Sequence, residues 1–287
     1  MITGGEGFIG SELLKIVKRD DIILLSLHGK KHPKYEVVKG DITKPNILKN
    51  IAKDVDTVVH LAGVVSYSKS REELFKINAE ATKNVLDACK NVDRFVFASS
   101  VSVIGKMNEK VNESTEPKPF TAYGDSKLQA EKYVKDSGID HATLRFAPVY
   151  GKGSAQWVKN LKLLEKGFPI PKADNPTHVL HVTNAAKALE LSIKKGKGVY
   201  LIADEKPVNF IQLAEKIVKL LGKKPKKVSL RLAKLMATMK GMRTYMDVLT
   251  MYRHYDISNA KEIGYTGKID LDKKLKEMVD WYLKTNK

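Results

Sequence analysis

A glycine-rich turn at the start of the chain constrains the fold more than any other segment. The eight residues from Thr3 read Thr-Gly-Gly-Glu-Gly-Phe-Ile-Gly, so Gly4, Gly7 and Gly10 stand between a short apolar stretch and a helical run at 11–17. Glycines permit a tight turn and let the backbone approach a pyrophosphate closely, and a helix N-terminus adds free N–H groups and a positive dipole end. The segment therefore predicts a strand–turn–helix phosphate site.

The strand ahead of these glycines is unusually short. Only Met1, Ile2 and Thr3 precede the turn, whereas a central parallel strand usually has about five residues. Either the native start lies upstream of Met1, or this strand is truncated and the sheet is weaker at that edge.

Strand-like and helical runs alternate along the first half of the chain. The strand-like runs stand at 22–27, 55–61, 95–99 and 142–146, and the helical runs between them include 74–89 and 126–135. Such alternation predicts an α/β fold with a doubly wound parallel sheet.

The alternation breaks up after residue 151. Strands at 179–182 and 198–202 are expected to return to the sheet, and helices at 209–221, 230–239 and 271–283 are expected to build a smaller unit. We predict a dinucleotide-binding domain of residues 1–147 and 177–203, and a C-terminal substrate domain of residues 148–176 and 204–287.

A cluster of methionines falls within the predicted substrate domain. Its members are Met236, Met239, Met242, Met246 and Met251. Methionine adapts to irregular shapes, so these side chains suit either a packed core or a plastic apolar wall for a substrate. We expect core packing.

A second motif, Tyr123-Gly124-Asp125-Ser126-Lys127, carries acid–base chemistry. Tyr123 and Lys127 are four residues apart, so on a helix they share one face. A cation held beside a tyrosine favours the phenolate and lowers the pKa from its ordinary value of about 10. Tyr123 is therefore a candidate general acid/base for an alcohol or ketone, and Ser100 is a candidate to bind the same substrate oxygen.

Together with several further motifs, these elements resemble one superfamily nearly from end to end. The chain resembles an extended short-chain dehydrogenase/reductase of the NAD(P)-dependent epimerase/dehydratase superfamily. The further motifs are Gly40-Asp41-Ile42, His60-Leu61-Ala62-Gly63, Asn78 with Thr82, the segment from Ser99 to Gly105, the segment from Leu144 to Gly151 and the tail from Tyr255 through Trp281 and Tyr282. In the superfamily the catalytic hydroxyl sits five residues before the glycine, which selects Ser100 over Ser99 and Ser102.

The resemblance implies a Rossmann-type sheet, hydride transfer at a carbinol or ketone carbon, and a role for each matching residue. Ser100, Tyr123 and Lys127 would be catalytic, Lys127 would also hold the nicotinamide ribose, and Asp41 would meet the adenine amino group. The implied cofactor site comprises Gly4, Gly7, Phe8, Ile9, Gly10, His28, Lys30, Lys31, Asp41, Ile42, Leu61, Ala62, Gly63, Asn78, Tyr123, Lys127, Ala147 and Val149.

One departure from the superfamily bears on the substrate. Many of its sugar-nucleotide epimerases have, where Pro148 stands here, an asparagine that contacts the substrate diphosphate. Its absence makes the chain more similar to the members that act on sterols, aldehydes or other small hydroxy compounds.

The residues after the second strand bear on the choice of cofactor. NAD-preferring members place an acidic residue at the end of that strand, where it binds the ribose hydroxyls. The segment from Leu25 to His32 has no carboxylate, and it contains His28, Lys30 and Lys31, which suit a 2′-phosphate. We expect NADP in preference to NAD.

The net charge of +18 is large enough to attract nucleic acid, anionic membranes or anionic substrates. The lysines are spread along the whole chain, and the denser runs at 194–197 and 223–227 lie at predicted turns. This distribution favours solvated surface loops over a binding surface for an anionic partner. No nucleic-acid-binding motif and no metal-ligand spacing is visible. We expect a small-molecule substrate, and neither a nucleic-acid partner, a membrane partner nor a metal.

Cysteine content and hydropathy predict a cytoplasmic protein. The single cysteine, Cys89, forbids internal disulfides and is expected to be a small buried apolar side chain in a helix. No secretory signal is visible, and no apolar run reaches the roughly 18 residues of a membrane span. The resemblance also implies a homodimer formed through the helices before and after the strand that ends in Ser100.

Three functions stay open at this point. The first is a dehydrogenase or reductase with an exchanging cofactor. The second is a nucleotide-sugar 4-epimerase or dehydratase that keeps NAD tightly bound. The third, a non-catalytic dinucleotide-binding subunit, is disfavoured because a pure binder has no need of Ser100 or Tyr123.

Overall fold

The computed structural model describes residues 1–48 and 51–285 and contains a sheet of seven parallel strands with helices on both faces. The strands are β1 Ile2–Thr3, β2 Ile23–Ser26, β3 Glu36–Lys39, β4 Thr57–His60, β5 Arg94–Ser100, β6 Asp140–Phe146, β7 Val149–Tyr150, β8 Ile170–Lys172, β9 Pro176–Thr177, β10 Leu180–His181, β11 Gly198–Ile202, β12 Val208–Asn209 and β13 Lys227–Ser229.

The helices alternate with these strands and then dominate the C-terminal part. They are α1 Phe8–Ile16, α2 Arg71–Leu74, α3 Ala81–Ala88, α4 Ala122–Asp136, α5 Ala155–Glu165, α6 Val182–Ser192, α7 Phe210–Leu220, α8 Leu230–Met239, α9 Arg243–Thr250 and α10 Leu271–Thr285. A π-helical segment, Phe75–Glu80, joins α2 to α3. None of the helices within residues 1–48 and 51–285 is long and apolar enough to cross a membrane.

The strands of the main sheet follow the order β11-β6-β5-β4-β1-β2-β3. The doubly wound parallel sheet predicted from the alternation is therefore confirmed. The short strand β1 lies in the middle of the sheet, between β2 and β4. The backbone of Met1 supports it, since its carbonyl accepts the Val59 N–H at 2.9 Å.

The strand predicted at 179–182 does not return to the main sheet. It is the two-residue β10, which pairs with β7. His181 ends it, because its ring nitrogen accepts the Thr183 N–H at 3.3 Å and caps α6, which begins at Val182. The strand predicted at 198–202 is confirmed as the edge strand β11.

Two apolar clusters hold the sheet between its helices. One lies under α1 and α6 and includes Leu13 and Leu189, and the other lies under α3 and α4 and includes Val85 and Val134. Cys89 belongs to the second cluster at 1% exposure, which confirms it as a buried apolar side chain. A separate cluster joins α5, α7 and α10 in the C-terminal part.

His60 is buried at the end of β4 and its hydrogen bonds fix its tautomer. The Thr82 hydroxyl donates to the Asn78 carbonyl at 2.7 Å, so its oxygen accepts from His60 Nε2–H at 3.0 Å. His60 Nδ1 then accepts from the Thr3 hydroxyl at 2.7 Å. Burial lowers the pKa of His60 to about 3, and the positive charge of Lys127 adds to this. The ring is neutral and ties β1 to α3.

We predict that this histidine makes the folded state less stable in acid. The unfolded chain binds a proton at His60 below pH 6.5, whereas the folded protein resists it until about pH 3. The free energy of unfolding should therefore fall by about 1.4 kcal/mol per pH unit from this residue as the pH drops from about 6 to about 4. Urea unfolding across this range measures the slope.

A pair of variants isolates the contribution of His60. His60→Gln should be less stable overall. Its unfolding free energy should also vary less with pH, by the slope that corresponds to uptake of about one proton on unfolding. His28→Gln, at an exposed position, should keep the slope of the unmodified protein. An unchanged slope in His60→Gln would contradict the assignment.

Candidate active site

A cavity of about 890 Å³ opens at the carboxyl ends of the central strands. Its sheet side is lined by the turn after β1, by Leu61 and Gly63 after β4, by Ser100 at the end of β5 and by Ala147 after β6. The strand order reverses beside β1, because the chain moves to β2 on one side and to β4 on the other. Ligands of open α/β sheets bind at such a switch point.

The glycine turn lies between β1 and α1, as predicted. The Gly7 N–H donates to the Gly4 carbonyl at 3.0 Å, and a Cβ at Gly10 would stand 2.4 Å from that same oxygen. Only glycine at position 10 therefore lets α1 pack this closely onto the turn. No side chain caps α1, and Phe8 and Ile9 of its first turn line the cavity. This arrangement suits a pyrophosphate at the helix N-terminus.

The start of α4 brings Tyr123 to the end of β5. Thr121 caps this helix by accepting the Gly124 N–H at 3.0 Å. A Cβ at Gly124 would stand 2.4 Å from the Ser102 carbonyl oxygen, so the helix approaches the segment after β5 as closely as backbone atoms allow. The glycine of the Tyr-Gly-Asp-Ser-Lys motif is thus the reason that Tyr123 and Ser100 meet.

Ser100 and Tyr123 both line the cavity. The Ser100 hydroxyl donates to Ser102 Oγ at 3.1 Å and accepts the Ser102 N–H at 3.2 Å. Burial raises the pKa of Tyr123, the phenol of Tyr67 raises it further, and the Ser100 hydroxyl opposes the rise. The lowering of this pKa by Lys127 and by an oxidised nicotinamide stays a prediction.

Lys127 lies one turn after Tyr123, buried at 6% exposure. Its Nζ stands 4.1 Å from the ring centroid of Phe97, a cation–π contact. Burial lowers the pKa of Lys127 to about 7, and the negative charge of Glu131 opposes this. Lys127 lines the cavity, so its ammonium group lies within the site.

A buried ion pair holds α4 on the sheet. Arg145 Nε and Nη2 donate to the two Glu131 oxygens at 3.0 and 2.8 Å, and the Ser99 hydroxyl donates to Glu131 Oε1 at 2.5 Å. Both charged side chains are under 9% exposed. Glu131 follows Lys127 by four residues and Tyr123 by eight, so one helix face carries all three.

Asn78 lines the cavity and clamps the loop after β4. Its Oδ1 accepts the Val64 N–H at 2.8 Å, and its Nδ2 donates to the Val64 carbonyl and to the Ser126 hydroxyl at 3.0 and 3.1 Å. The side chain therefore ties this loop to α4 beside Lys127.

A carboxylate from the glycine turn lies beside the end of β2, although it is far from that strand in the sequence. Glu6, from the glycine turn, accepts a short hydrogen bond from the Ser26 hydroxyl. Ser26 Oγ in turn accepts the N–H groups of His28 and Gly29 at 3.2 and 3.0 Å. An acidic group thus lies where dinucleotide-binding folds contact the adenosine ribose.

The remaining predicted cofactor residues divide between the cavity wall and its surroundings. Ala147 and Val149 line the cavity, whereas His28, Lys30 and Lys31 are exposed beyond its wall. Ala62, Asp41 and Ile42 also lie outside the wall. Asp41 accepts from the Thr43 N–H and hydroxyl at 2.9 and 2.7 Å, and these bonds lower the pKa of its carboxyl.

Tyr67 is a second phenol in the cavity, and no motif pointed to it. Its ring packs edge-on against that of Tyr123, with centroids 6.1 Å apart, and also contacts Tyr245. Burial raises the pKa of Tyr67. It lies in the loop after β4, within the run Ser66-Tyr67-Ser68-Lys69-Ser70, which matches no motif.

Beyond Tyr123 the cavity wall is mostly apolar. Its side chains come from α5, α7, α8 and α9 and from the segment at 168–171, and they include Leu163, Phe168, Ile170, Leu213, Ile217, Met236, Met242, Met246, Leu249 and Met251. The expectation of core packing for the methionines is therefore wrong: four of the five line the cavity, and Met239 is 81% exposed.

The polar groups of this wall bond to protein atoms. Arg253 is buried, and its guanidinium donates to the Thr177 hydroxyl, the Leu249 carbonyl and, closely, the Val248 carbonyl. Tyr245 donates to Asn160 and accepts from Gln156. Lys159 and Lys240 lie at exposed positions of the rim. Within residues 1–48 and 51–285, no group of side chains is arranged to hold a metal.

Known proteins resemble this chain in sequence. Residues 1–203 match the sequence profile of the NAD dependent epimerase/dehydratase family. A putative UDP-glucose 4-epimerase of Methanocaldococcus jannaschii is 30% identical, over 100% of this chain and 99% of that protein. A decarboxylating sterol-4-alpha-carboxylate 3-dehydrogenase of Saccharomyces cerevisiae is 26% identical, over 98% of this chain and 97% of that protein.

Solved structures agree on the fold. The UDP-glucose 4-epimerase of Thermotoga maritima, solved with UDP-glucose, aligns with a TM-score of 0.81 at 22% identity, over 100% of this chain and 99% of that one. At such identity the likeness concerns the fold alone. The match over residues 1–203 and the full-length relative carry the conclusion that this chain is an NAD(P)-dependent enzyme of the NAD dependent epimerase/dehydratase family.

Proposed function

We propose that this chain is a dehydrogenase or reductase that acts on a carbinol or ketone carbon of a largely apolar substrate. The apolar wall beyond Tyr123 carries this proposal. A nucleotide-sugar diphosphate needs cations and free N–H donors, but the buried cation of this wall, Arg253, is bonded to protein carbonyls. Pro148 likewise offers no side-chain or backbone donor.

The residues around the reacting carbon have distinct parts in the proposed mechanism. Ser100 and Tyr123 bind the substrate oxygen, and Tyr123 takes its proton on oxidation or returns one on reduction. Lys127, one helical turn after Tyr123, would hold the nicotinamide ribose hydroxyls and favour the phenolate through its charge. NAD(P), when bound, accepts or supplies the hydride. The glycine turn holds the pyrophosphate at the N-terminus of α1.

The alternative is a nucleotide-sugar 4-epimerase, and one observation favours it. The relative from Methanocaldococcus jannaschii, named as a putative UDP-glucose 4-epimerase, aligns over 100% of this chain. The same Ser100, Tyr123 and Lys127 set would serve that reaction, with the hydride returned to the substrate.

We further propose NAD as the cofactor, against the preference drawn from His28, Lys30 and Lys31. The carboxylate of Glu6 at the end of β2 supports this proposal, because it would accept from ribose hydroxyls and repel a 2′-phosphate. Lys30 and Lys31 lie on the surface, where cations interact weakly.

The predicted division into two domains is retained as a proposal. The separate apolar cluster of α5, α7 and α10 supports it. Residues 255–265, however, pack partly on the sheet core, where the Tyr265 hydroxyl donates to the Ala203 carbonyl at 2.9 Å. The homodimer, the cytoplasmic location and the absence of a nucleic-acid partner stay predictions.

The proposed function is tested by two linked measurements. The purified protein is denatured and any released nucleotide is identified by mass spectrometry. It is also incubated with NAD and a panel of apolar secondary alcohols, or with UDP-glucose and UDP-N-acetylglucosamine. We expect formation of reduced cofactor with an apolar alcohol. Inversion of a sugar without net reduction, together with tightly bound NAD, would instead establish the epimerase.

Replacement of Tyr123 by phenylalanine tests the acid/base assignment. Turnover should fall by at least about a hundredfold, since a positioned proton donor contributes at least that much. Binding of NAD, followed by protein fluorescence, should stay within a few-fold, because the ring still fills its place. Tyr245→Phe, which removes a cavity phenol that donates to Asn160, is the control. Full activity of Tyr123→Phe would refute the mechanism.

Replacement of Glu6 by glutamine tests the choice of cofactor. The unmodified protein should bind NAD more tightly than NADP, and Glu6→Gln should shift the ratio of the two Kd values by about tenfold towards NADP. Glu36→Gln, an exposed change on β3, is the control. Tighter binding of NADP by the unmodified protein would favour the role first predicted for Lys30 and Lys31.

A further inference from the structure

Helix α8 turns an apolar stripe towards solvent. Ala233 and Ala237 face the protein and are buried. The residues at helical spacings of three and four on the outer side are large and apolar, with exposures of 47% for Leu232, 58% for Leu235, 39% for Met236 and 81% for Met239. A helix of a globular protein ordinarily buries its apolar stripe, so this stripe has an unusual orientation.

The stripe is continuous with the mouth of the active-site cavity. Met236 belongs to both the stripe and the cavity wall. Met242 and Phe168, each 41% exposed, also line the cavity. We name this surface the α8 patch and define it by Phe168, Leu232, Leu235, Met236, Met239 and Met242. The described structure therefore has an apolar route from the exterior to the region of Tyr123.

The α8 patch is surrounded by positive charge. Residues 223–246 contain eight lysines and arginines and no acidic residue. Lys240 lies over the Phe168 ring, with Nζ 5.1 Å from its centroid. The Lys226 carbonyl accepts the Ile170 N–H at 2.7 Å, which fixes the basic run at 223–227 beside the segment that carries Phe168. Asp247 partly offsets this charge through Lys234 and Arg243.

These properties discriminate between occupants of the patch. A second copy of the chain seated there would bring two basic rims together, and each chain carries a net charge of +18. A surface that is both apolar and anionic meets the stripe and its rim at once. Helices with a basic rim and an exposed apolar face lie in the interface of anionic bilayers.

We propose that the α8 patch docks this protein on the surface of an anionic lipid bilayer. The methionine and leucine side chains enter the boundary between headgroups and acyl chains, and the lysines and arginines contact the lipid phosphates. The protein lies on the membrane and does not cross it. The sequence led us to expect no membrane partner, because it has no membrane-spanning segment and its lysine runs lie at turns. A surface-docked protein needs no spanning segment.

Docking would also place the cavity mouth against the bilayer. If the proposed function is correct, an apolar substrate passes from lipid to Tyr123 without entering water. This step rests on the proposed function, whereas the binding of lipid does not. The lipid-binding proposal and the proposed function can therefore fail separately. Tyr123→Phe should lose turnover and still bind vesicles.

Vesicle flotation tests the proposal with the full chain. Vesicles of phosphatidylcholine alone are compared with vesicles of phosphatidylcholine and phosphatidylglycerol, at low and high salt. We expect binding to the mixed vesicles, weakened by salt. Leu235→Asp/Met239→Asp should lower the partition coefficient by about tenfold or more, since it removes two exposed apolar side chains and adds repulsion. Neither residue is buried, and circular dichroism confirms folding.

Two controls make the result specific to the patch. Ile47→Asp introduces a charge at another apolar position, one that is 48% exposed, and should leave binding unchanged. Lys226→Glu/Arg231→Glu should weaken binding, whereas Lys194→Glu/Lys195→Glu, which changes the net charge equally, should do so far less. Equal losses from both charge pairs would reduce the effect to net charge and overturn the proposal. So would an absence of binding, or a dimer that Leu235→Asp/Met239→Asp converts to monomer.

Discussion

The site depends on the buried ion pair between Glu131 and Arg145. Removing two charges from water is costly, and such a pair contributes little net stability, yet loss of one partner typically costs about 3–5 kcal/mol. Its effect here is geometric, because it fixes α4 on β5 and β6 with the Ser99 hydroxyl as a third member. Tyr123 and Lys127 share the helix face of Glu131, so the pair sets the depth and rotation at which both meet Ser100.

The cavity joins two environments of opposite character. Its sheet side presents helix N–H groups, hydroxyls and Lys127, which suit the phosphates and ribose of a dinucleotide. Its far side is built mainly from leucine, methionine and phenylalanine, its buried polar groups Tyr245 and Arg253 bond to protein atoms, and the cations Lys159 and Lys240 lie at its exposed rim. A polar substrate group placed there would lose water without gaining partners, at a cost of roughly 1–3 kcal/mol each. That asymmetry is the physical basis of the apolar substrate proposed above.

Local patterns predicted the sheet and the meeting of Ser100 with Tyr123, because strand alternation and helix spacing are short-range properties. The features that the sequence did not predict depend on contacts between residues far apart in the chain. Glu6 reaches the end of β2 across 20 residues, and Tyr67 comes from a serine-rich loop, so neither has a local signal. The methionine-rich sequence of 236–251 is typical of a packed core. Only the packing of α8 through Ala233 and Ala237 reveals that their side chains face a cavity or solvent.

The small residues of α8 explain how a substrate wall can also be an exterior surface. Ala233 and Ala237 are buried and line the cavity, so the inner face of α8 presents small side chains and its large side chains do not lie beneath it. They are displaced to its outer face and its edge, where Met236 borders the cavity. The same choice of residues therefore produces a thin apolar wall and an exposed apolar stripe. An exposed apolar stripe favours aggregation unless an apolar partner covers it. The proposed docking of the α8 patch on a bilayer would supply that partner.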